Sequence, residues 1–266
     1  MLQSHIHQKT ITSVSLPRIR RKNLNPGDTM SVPLLRETPE IENARSHWRY
    51  RGGSRPAFAT EPKQGQSSVW DFPRPPVIED VPVTMTVRFK TQIIAETQRG
   101  RRVLETAGAP TYYFPPEDVF APMTAEASRS VCEWKGLAES LSLPGAANAG
   151  WRYTDMFPAF QILHRWVAFY PAIVDCYLGE QRVSTQPGGY YGGWVSPDLV
   201  GPIKGEPGSS AWETPLRNVY STGTMTSLVR MKDGRNGELY LAQTGSPLIF
   251  QRVSDSSVIS RSLCVS

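Results

Sequence analysis

Proline and glycine are the residues that most limit how this chain can fold. Its 266 residues include 23 prolines and 21 glycines, which recur along most of its length. Because both residues interrupt regular structure, they favour short strands over long helices. A hydrophobic fraction of 39% still supplies a buried core at this length. The sequence therefore predicts a mainly β protein with short helical turns.

The segment VTMTVRFK carries the clearest strand signal. Val83, Met85, Val87 and Phe89 alternate with polar residues, which is typical of a strand with one buried face. QIIAE follows after a turn at Thr91 and is predicted to complete a hairpin. RVLET and TYYF are predicted as the next strands, and PPEDVF as a helical turn that starts at proline.

Later segments also read as short elements. SVCEWKGLAESLSL is predicted to form two short strands or one bent strand, and alternation would place Cys132 and Trp134 opposite Glu133 and Lys135. WRYT and WVAFY are strand candidates, with a short helix before the second. VDCYLGEQRVST reads as a hairpin, and QPGGYYGGW as an aromatic loop with a flexible backbone, placed as a rim or lid over the sheet.

Composition divides the chain into four predicted regions. They are a disordered leader (1–29), an extended arm whose aromatic rings pack on the domain (30–67), a β domain (68–213), and a C-terminal extension that forms a hairpin or is disordered (214–266). The sequence leaves open whether translation starts at Met1 or Met30.

Charge is concentrated at the N-terminal end. Residues 1–60 carry ten Lys and Arg against four Asp and Glu, whereas the other 206 residues carry 19 against 20. The predicted body is thus nearly neutral, which argues against nucleic acid as a partner. No run of about 18 apolar residues occurs, so no membrane partner is expected.

The three cysteines, Cys132, Cys176 and Cys264, are widely spaced. Because no C-x-x-C pair occurs, no zinc site is predicted, and no residue is named as a metal ligand. A reducing, cytoplasmic setting is the simplest interpretation.

Residues 102–136 hold the densest group of reactive side chains. Arg102 and Lys135 could hold an anion, Glu105 could orient a ligand or accept a proton, and Tyr113 could face the same ligand. Cys132 would need a nearby cation to become a nucleophile, and a buried inert thiol is the alternative. We therefore predict Cys132, Glu105 and Lys135 as catalytic candidates. Arg102 and Tyr113 are ligand-binding candidates, together with Tyr190 and Trp194 of the glycine-rich loop.

The neighbouring carboxylates Glu117 and Asp118 allow two interpretations. They could hold a cation or act in acid–base chemistry, but at a helix start they more simply complement the helix dipole. The glycine-rich loop lacks the G-x-x-x-x-G-K-[ST] pattern of a phosphate loop.

Several motifs together resemble a known family, the domain of unknown function numbered 427, also labelled nucleotidyltransferase-like. The motifs are SVWDFPRPP (68–76), RVLETAGAPTYYFPPEDV (102–119), CEWKG (132–136), AFYP (168–171) and QPGGYYGGW through GPIKGEPG (186–208). The resemblance covers about residues 68–212 and implies a compact antiparallel fold of two sheets, similar to the β-tent architecture. The Gly-Ser pair and spaced aspartates of polymerase-type transferases are absent.

Two main hypotheses about function follow. In the first, the domain binds a small polar or anionic, nucleotide-like ligand, with possible group transfer. In the second, aromatic residues of the arm and loop form a non-catalytic protein-interaction surface. Thiol redox chemistry at Cys132 is a weaker alternative. The sequence leaves open whether the chain is an enzyme, which cofactor it uses and its oligomeric state.

Overall fold

The computed structural model describes residues 34–46 and 48–212, and beyond these the backbone of strands within residues 226–262. The fold is mainly β, as predicted. Helical structure in these residues consists of α1 (Pro39–Ser46) and short 3₁₀ helices at Pro116–Asp118, Pro158–Leu163 and Ser209–Trp212. The predicted leader, Met30 and Cys264 lie outside the described residues.

The described strands have the following bounds: β1 Ser67–Ser68, β2 Val77–Asp80, β3 Met85–Phe89, β4 Gln92–Thr97, β5 Arg101–Leu104, β6 Thr111–Tyr113, β7 Thr124–Cys132, β8 Gly136–Leu143, β9 Ala146–Met156, β10 Val167–Phe169, β11 Asp175–Leu178, β12 Gln181–Arg182, β13 Ser184–Thr185, β14 Trp194–Val195, β15 Leu199–Val200, β16 Thr226–Arg230, β17 Leu239–Gln243, β18 Ile249–Ser254 and β19 Ser257–Ser262.

Most of these strands pair in antiparallel sheets. The strand orders are β10-β9-β8-β7, β12-β11-β3-β4 and β2-β5-β6, and β16 to β19 pair in chain order. β13 pairs with β14, and β1 pairs with β15 in parallel. The hairpins predicted within residues 83–96 and 174–185 are confirmed by the pairing of β3 with β4 and of β11 with β12. The β-tent description stays a prediction.

The sheet β10-β9-β8-β7 separates two apolar clusters. Leu141 and Phe169 pack in one cluster with residues of β3 and β4, whereas Trp151, Tyr153 and Ala168 pack in the other. Because strand residues alternate between faces, neighbouring residues of the same strand supply both clusters. The central strands are therefore buried on both sides.

The two adjacent tyrosines of β6 correct one expectation. The sequence predicts that one packs while the other is exposed, but Tyr112 and Tyr113 are both buried. Tyr112 stacks on Trp194 in the first cluster, and Tyr113 packs near Trp151 in the second. The two side chains do lie on opposite faces of β6, as predicted, but both faces of this strand are covered.

The CEWKG segment also differs from its predicted form. Cys132 ends β7 and pairs with Gly136, the first residue of β8, so the three residues between them form a hairpin turn. Gly136 has φ +121°, a conformation that favours glycine. All three turn residues, Glu133, Trp134 and Lys135, are buried. The alternative in which Cys132 is an inert buried thiol would leave Glu133 and Lys135 solvated, and their burial contradicts that part of it.

The arm packs its apolar and aromatic residues on the domain. Ile41 of α1 lies in a cluster with Val131 and Phe157, and Trp48 is 5% exposed in the cluster that holds Tyr113. Arg45 donates a hydrogen bond to the Glu133 carbonyl at 2.8 Å. These contacts bring the arm to the hairpin turn. Among the described helices, none has the length and apolar character needed to cross a membrane.

Candidate functional site

A small cavity opens beside the buried hairpin turn. Its volume is about 30 Å³. The walls come from β5, β6, β9, the hairpin turn and the glycine-rich loop, through residues that include Glu105, Tyr113, Lys135, Trp151 and Tyr191. All lining residues are buried except Thr111 and Tyr191, which are partly exposed. The cavity therefore approaches the surface at these two residues.

Glu105 supplies the carboxylate of this cavity. The residue directly follows β5, and its Oε1 lies 2.8 Å from the Arg74 guanidinium in an ion pair whose two side chains are buried. Arg74 also donates a hydrogen bond to the Thr106 carbonyl at 2.9 Å. Both carboxylate oxygens of Glu105 are buried and accept no well-aligned hydrogen bond from the described residues; Oε1 has the ion pair with Arg74, and Oε2 has no such pair. One carboxylate oxygen in the cavity wall thus retains acceptor capacity.

Glu133 forms a second buried carboxyl group behind the cavity. Its Oε1 accepts a hydrogen bond from the Trp48 indole N–H at 3.0 Å. Burial raises the pKa of Glu133, the nearby charge of Glu105 raises it further, and Lys204 acts in the opposite direction. Burial in this region therefore favours the protonated form of Glu133 relative to that of a solvated glutamate.

The indole ring of Trp48 contacts two of the cationic side chains in this region. The Arg74 guanidinium carbon and the Lys204 Nζ each lie 3.6 Å from the centroid of the Trp48 ring. Stacking of cations on an indole face is favourable and strengthens when the groups are desolvated. Burial lowers the pKa of Arg74, while the carboxylates of Glu105 and Glu133 act in the opposite direction.

These contacts define a buried charge cluster. It consists of Arg74, Glu105, Glu133 and Lys204, to which we add Lys135, the turn residue after Trp134 that lines the cavity; each is at most 5% exposed. Three members are of cationic types and two are of acidic types, a difference in residue types that we call the cation surplus. Burying charge is costly unless opposite charge compensates it.

The glycine-rich loop forms a wall of the cavity. A Cβ at Gly192 would overlap the Trp151 ring, and a Cβ at Gly193 would overlap the Gln186 amide oxygen. Gln186 is held by the backbone, since it accepts from Ala109 N at 3.1 Å and donates to the Lys204 carbonyl at 2.8 Å. Glycine is required at these two positions because any side chain would clash with Trp151 or Gln186.

The structure brings three predicted site residues to the cavity, namely Glu105, Tyr113 and Lys135. Cys132 is fully buried next to it, where its sulfur accepts the Lys135 backbone N–H at 3.4 Å. Tyr190 stands next to the lining residue Tyr191, edge-on to its ring.

The other two predicted residues lie outside the cavity lining. Arg102 faces away from Val103 on β5 and pairs with Glu79 at 2.7 Å. Trp194 is fully buried in the other apolar cluster, where its indole N–H donates to the Phe169 carbonyl at 3.1 Å. The roles predicted for these residues stay predictions.

The predicted acidic pair at Glu117 and Asp118 lies elsewhere on the surface. Both carboxylates pair with Arg99, and Asp118 also accepts a hydrogen bond from the Thr97 hydroxyl at 2.6 Å. Within residues 34–46 and 48–212, no three His, Cys, Asp or Glu side chains come together as metal ligands.

Sequence reasoning missed Arg74, Lys204 and Trp48. Arg74 stands between Pro73 and Pro75, and Lys204 stands among glycine, proline and isoleucine in GPIKG. A single cation within an apolar, turn-rich segment was the available signal, because such a residue has few neighbouring charges with which to share a solvated face. Nothing in the sequence showed that the three would meet.

Comparison with known proteins supports the resemblance. Residues 77–180 match a family model described as a domain of unknown function (DUF427). This match confirms the predicted resemblance over that segment, which is less than half of the chain. It includes Glu105, Tyr113 and Lys135, whereas Trp48, Arg74, Lys204 and the glycine-rich loop lie outside it. No curated protein matches the chain.

Proposed function

We propose that this domain binds a compact anionic group in the cavity beside Lys135. The observation that carries the proposal is the buried charge cluster with its cation surplus, of which Lys135 and Glu105 line the cavity. An anion there would compensate the surplus in a site of low dielectric, where charge–charge interactions are strong. Lys135 is the cation that would contact the anion.

The size of the cavity limits what enters it. A buried water needs about 10–15 Å³ of such space, so about 30 Å³ accommodates a group of only a few atoms. Pockets that enclose a whole organic ligand measure about 300–1,000 Å³. A nucleotide-like ligand would therefore insert only its anionic end, and the rest would lie beyond Thr111 and Tyr191.

The same arrangement supports group transfer as a possible extension of binding. In that extension, a carboxylate oxygen of Glu105, which accepts no hydrogen bond from the described residues, would accept a proton from the bound ligand. The nucleotidyltransferase-like label of the family agrees with an anionic ligand, but a fold label alone does not establish chemistry.

The binding proposal is tested by titrating inorganic phosphate, AMP and ATP into the full chain by calorimetry and by thermal shift. We expect at least one of these anions to bind and to raise the melting temperature. Lys135→Met, which keeps the length of the side chain and removes its charge, should weaken binding at least tenfold.

Arg102→Met is the matched control, because Arg102 is a cation on the same segment that pairs with Glu79 outside the cavity. Its affinity should equal that of the wild type. Equal losses of affinity in both variants would show that the anion responds to the overall charge of the protein and not to a site at Lys135. Absence of binding by every anion tested would end the proposal.

The interaction-module hypothesis has less support. It needs a contiguous patch of exposed aromatic residues, but Trp48 and Trp194, one from the arm and one from the loop, are buried. Phe58 of the arm is 45% exposed and stacks on Trp212 at 5.5 Å, so it is the residue on which such a surface would centre.

Thiol chemistry at Cys132 is also less favoured, since its sulfur is fully buried. Peroxide treatment followed by mass spectrometry would test it against Cys176, whose pKa is raised by burial. Equal oxidation of the two thiols would remove the hypothesis. Both cysteines are free, which supports the proposal of a reducing, cytoplasmic setting. We propose no nucleic-acid or membrane partner.

A further inference from the structure

Glu105 limits which anions the cavity can accept. Its carboxylate lines the cavity, is 5% exposed, and is held by Arg74 through Oε1. Oε2 accepts no hydrogen bond from the described residues. An anion beside Lys135 thus meets a negative oxygen in the same small space, and the two would repel each other unless a proton lies between them.

From this juxtaposition we infer that the site selects oxyanions that still carry a proton, the chemistry of hydrogen phosphate and of singly protonated phosphate monoesters. The inference rests on the proposed function and names its ligand class. One oxygen of the anion faces Lys135, and an O–H of the same anion donates to Oε2 of Glu105. The cavity is about 30 Å³, so one compact anion can meet both residues.

An anion without a proton is excluded for two physical reasons. It brings like charge against a buried carboxylate, and it leaves Oε2 of Glu105 desolvated and without a donor. Sites built to hydrogen-bond a ligand O–H reject analogues that lack it strongly, because the buried polar group then stays unpaired. Sulfate is such an analogue, since it matches phosphate in shape but carries no proton at neutral pH.

The experiment compares phosphate with sulfate on the full chain by calorimetry at pH 7 and matched ionic strength. The wild type should bind phosphate at least tenfold more tightly than sulfate. Glu105→Gln replaces the acceptor oxygen by an amide that can also donate, so it should reduce this preference at least tenfold or reverse it. Glu79→Gln, which changes a carboxylate outside the cavity, should keep the wild-type preference.

The outcomes separate the two proposals. Binding of sulfate as tight as that of phosphate overturns the inference about Glu105 and leaves anion binding intact. No binding of either anion, of AMP or of ATP ends the proposed function and the inference with it. If Glu105→Gln does not fold, binding of monofluorophosphate to the wild type provides the test. Fluorine replaces the O–H of hydrogen phosphate in this anion. Binding as tight as that of phosphate would contradict the inference.

A further titration distinguishes the free phosphate ion from the phosphate end of a monoester. Methyl phosphate keeps one protonatable oxygen and adds a small group that would point toward Thr111 and Tyr191. Binding at least as tight as that of inorganic phosphate assigns the site to a phosphate monoester end group. Binding only of inorganic phosphate assigns it to the free ion.

Discussion

The buried charge cluster and the surface cluster around Arg99 use the same residue types in opposite environments. In the surface cluster, Arg99 pairs with Glu117 at 3.2 Å and with Asp118 at 2.9 Å, and the Arg99 side chain is 62% exposed. In the buried cluster, Arg74 pairs with Glu105 at 2.8 Å, and the Arg74 side chain is 1% exposed. Distances are similar, but solvent reaches only one pair.

Solvent exposure determines what each pair contributes. Water screens exposed pairs, so they add little to stability. A buried pair requires both ions to be desolvated, and removal of one partner leaves the other uncompensated. The surface cluster has two acids for one cation and is open to solvent, whereas the buried cluster has more cation types than acids. This difference is the reason why the anion site is proposed at the buried cluster and not at the surface cluster.

Arg74→Met should produce the largest loss of stability. It leaves Glu105 buried without its ion-pair partner, so we expect the free energy of unfolding to fall by about 3–5 kcal/mol in urea denaturation. The double variant Arg74→Met, Glu105→Gln should regain part of this loss, because neither charge then remains unpaired.

Arg99→Met provides the surface comparison. Its unfolding midpoint should match that of the wild type, because its pairs are exposed to solvent. If Arg74→Met and Arg99→Met lowered stability equally, burial would not be what separates the two clusters.

Trp48 tests whether the arm is part of the buried cluster. Trp48→Ala removes a buried ring and should lower the free energy of unfolding by about 3–5 kcal/mol. Trp48→Phe keeps a ring between Arg74 and Lys204 but removes the N–H that donates to Glu133, so about 1–3 kcal/mol is expected. Urea denaturation measures both. Wild-type stability of Trp48→Phe would show that the indole N–H contributes nothing.

Much of the local structure could be predicted from the sequence because it depends on short-range patterns. Alternation located the hairpin of β3 and β4, and glycines located the hairpin of β11 and β12 and the aromatic loop. The bulge after Val87 and the exposure of Val83 could not be predicted, since they depend on how β3 pairs with β4 and on what covers each face.

The candidate site was predictable only in part. The density of reactive residues between 102 and 136 indicated Glu105, Tyr113 and Lys135, which the fold brings to one cavity. Spacing could not exclude Arg102, because its separation from Glu105 depends on where β5 ends. Trp48, Arg74 and Lys204 reach the cluster through contacts between distant segments, which no local pattern encodes.

Glu133 gives the smallest expected effect, and its test depends on pH. The pKa of its buried carboxyl is raised above the ordinary 4.5, mainly by burial and then by the charge of Glu105. Between the ordinary and the raised pKa, the native state binds more protons than the unfolded state, so the contribution of this group is complete below about 4.5 and is lost as pH rises. Glu133→Gln keeps an oxygen for the Trp48 N–H but does not titrate.

Relative to the wild type, Glu133→Gln should therefore gain stability as pH rises above about 4.5, which urea denaturation across a pH series measures. Glu117→Gln is the surface control and should run parallel to the wild type over the same range, because its carboxylate is exposed. A constant offset between Glu133→Gln and the wild type would mean that Glu133 stays ionised inside the protein. A protonated Glu133, by contrast, removes one negative charge from the buried cluster and so strengthens the attraction for an anion.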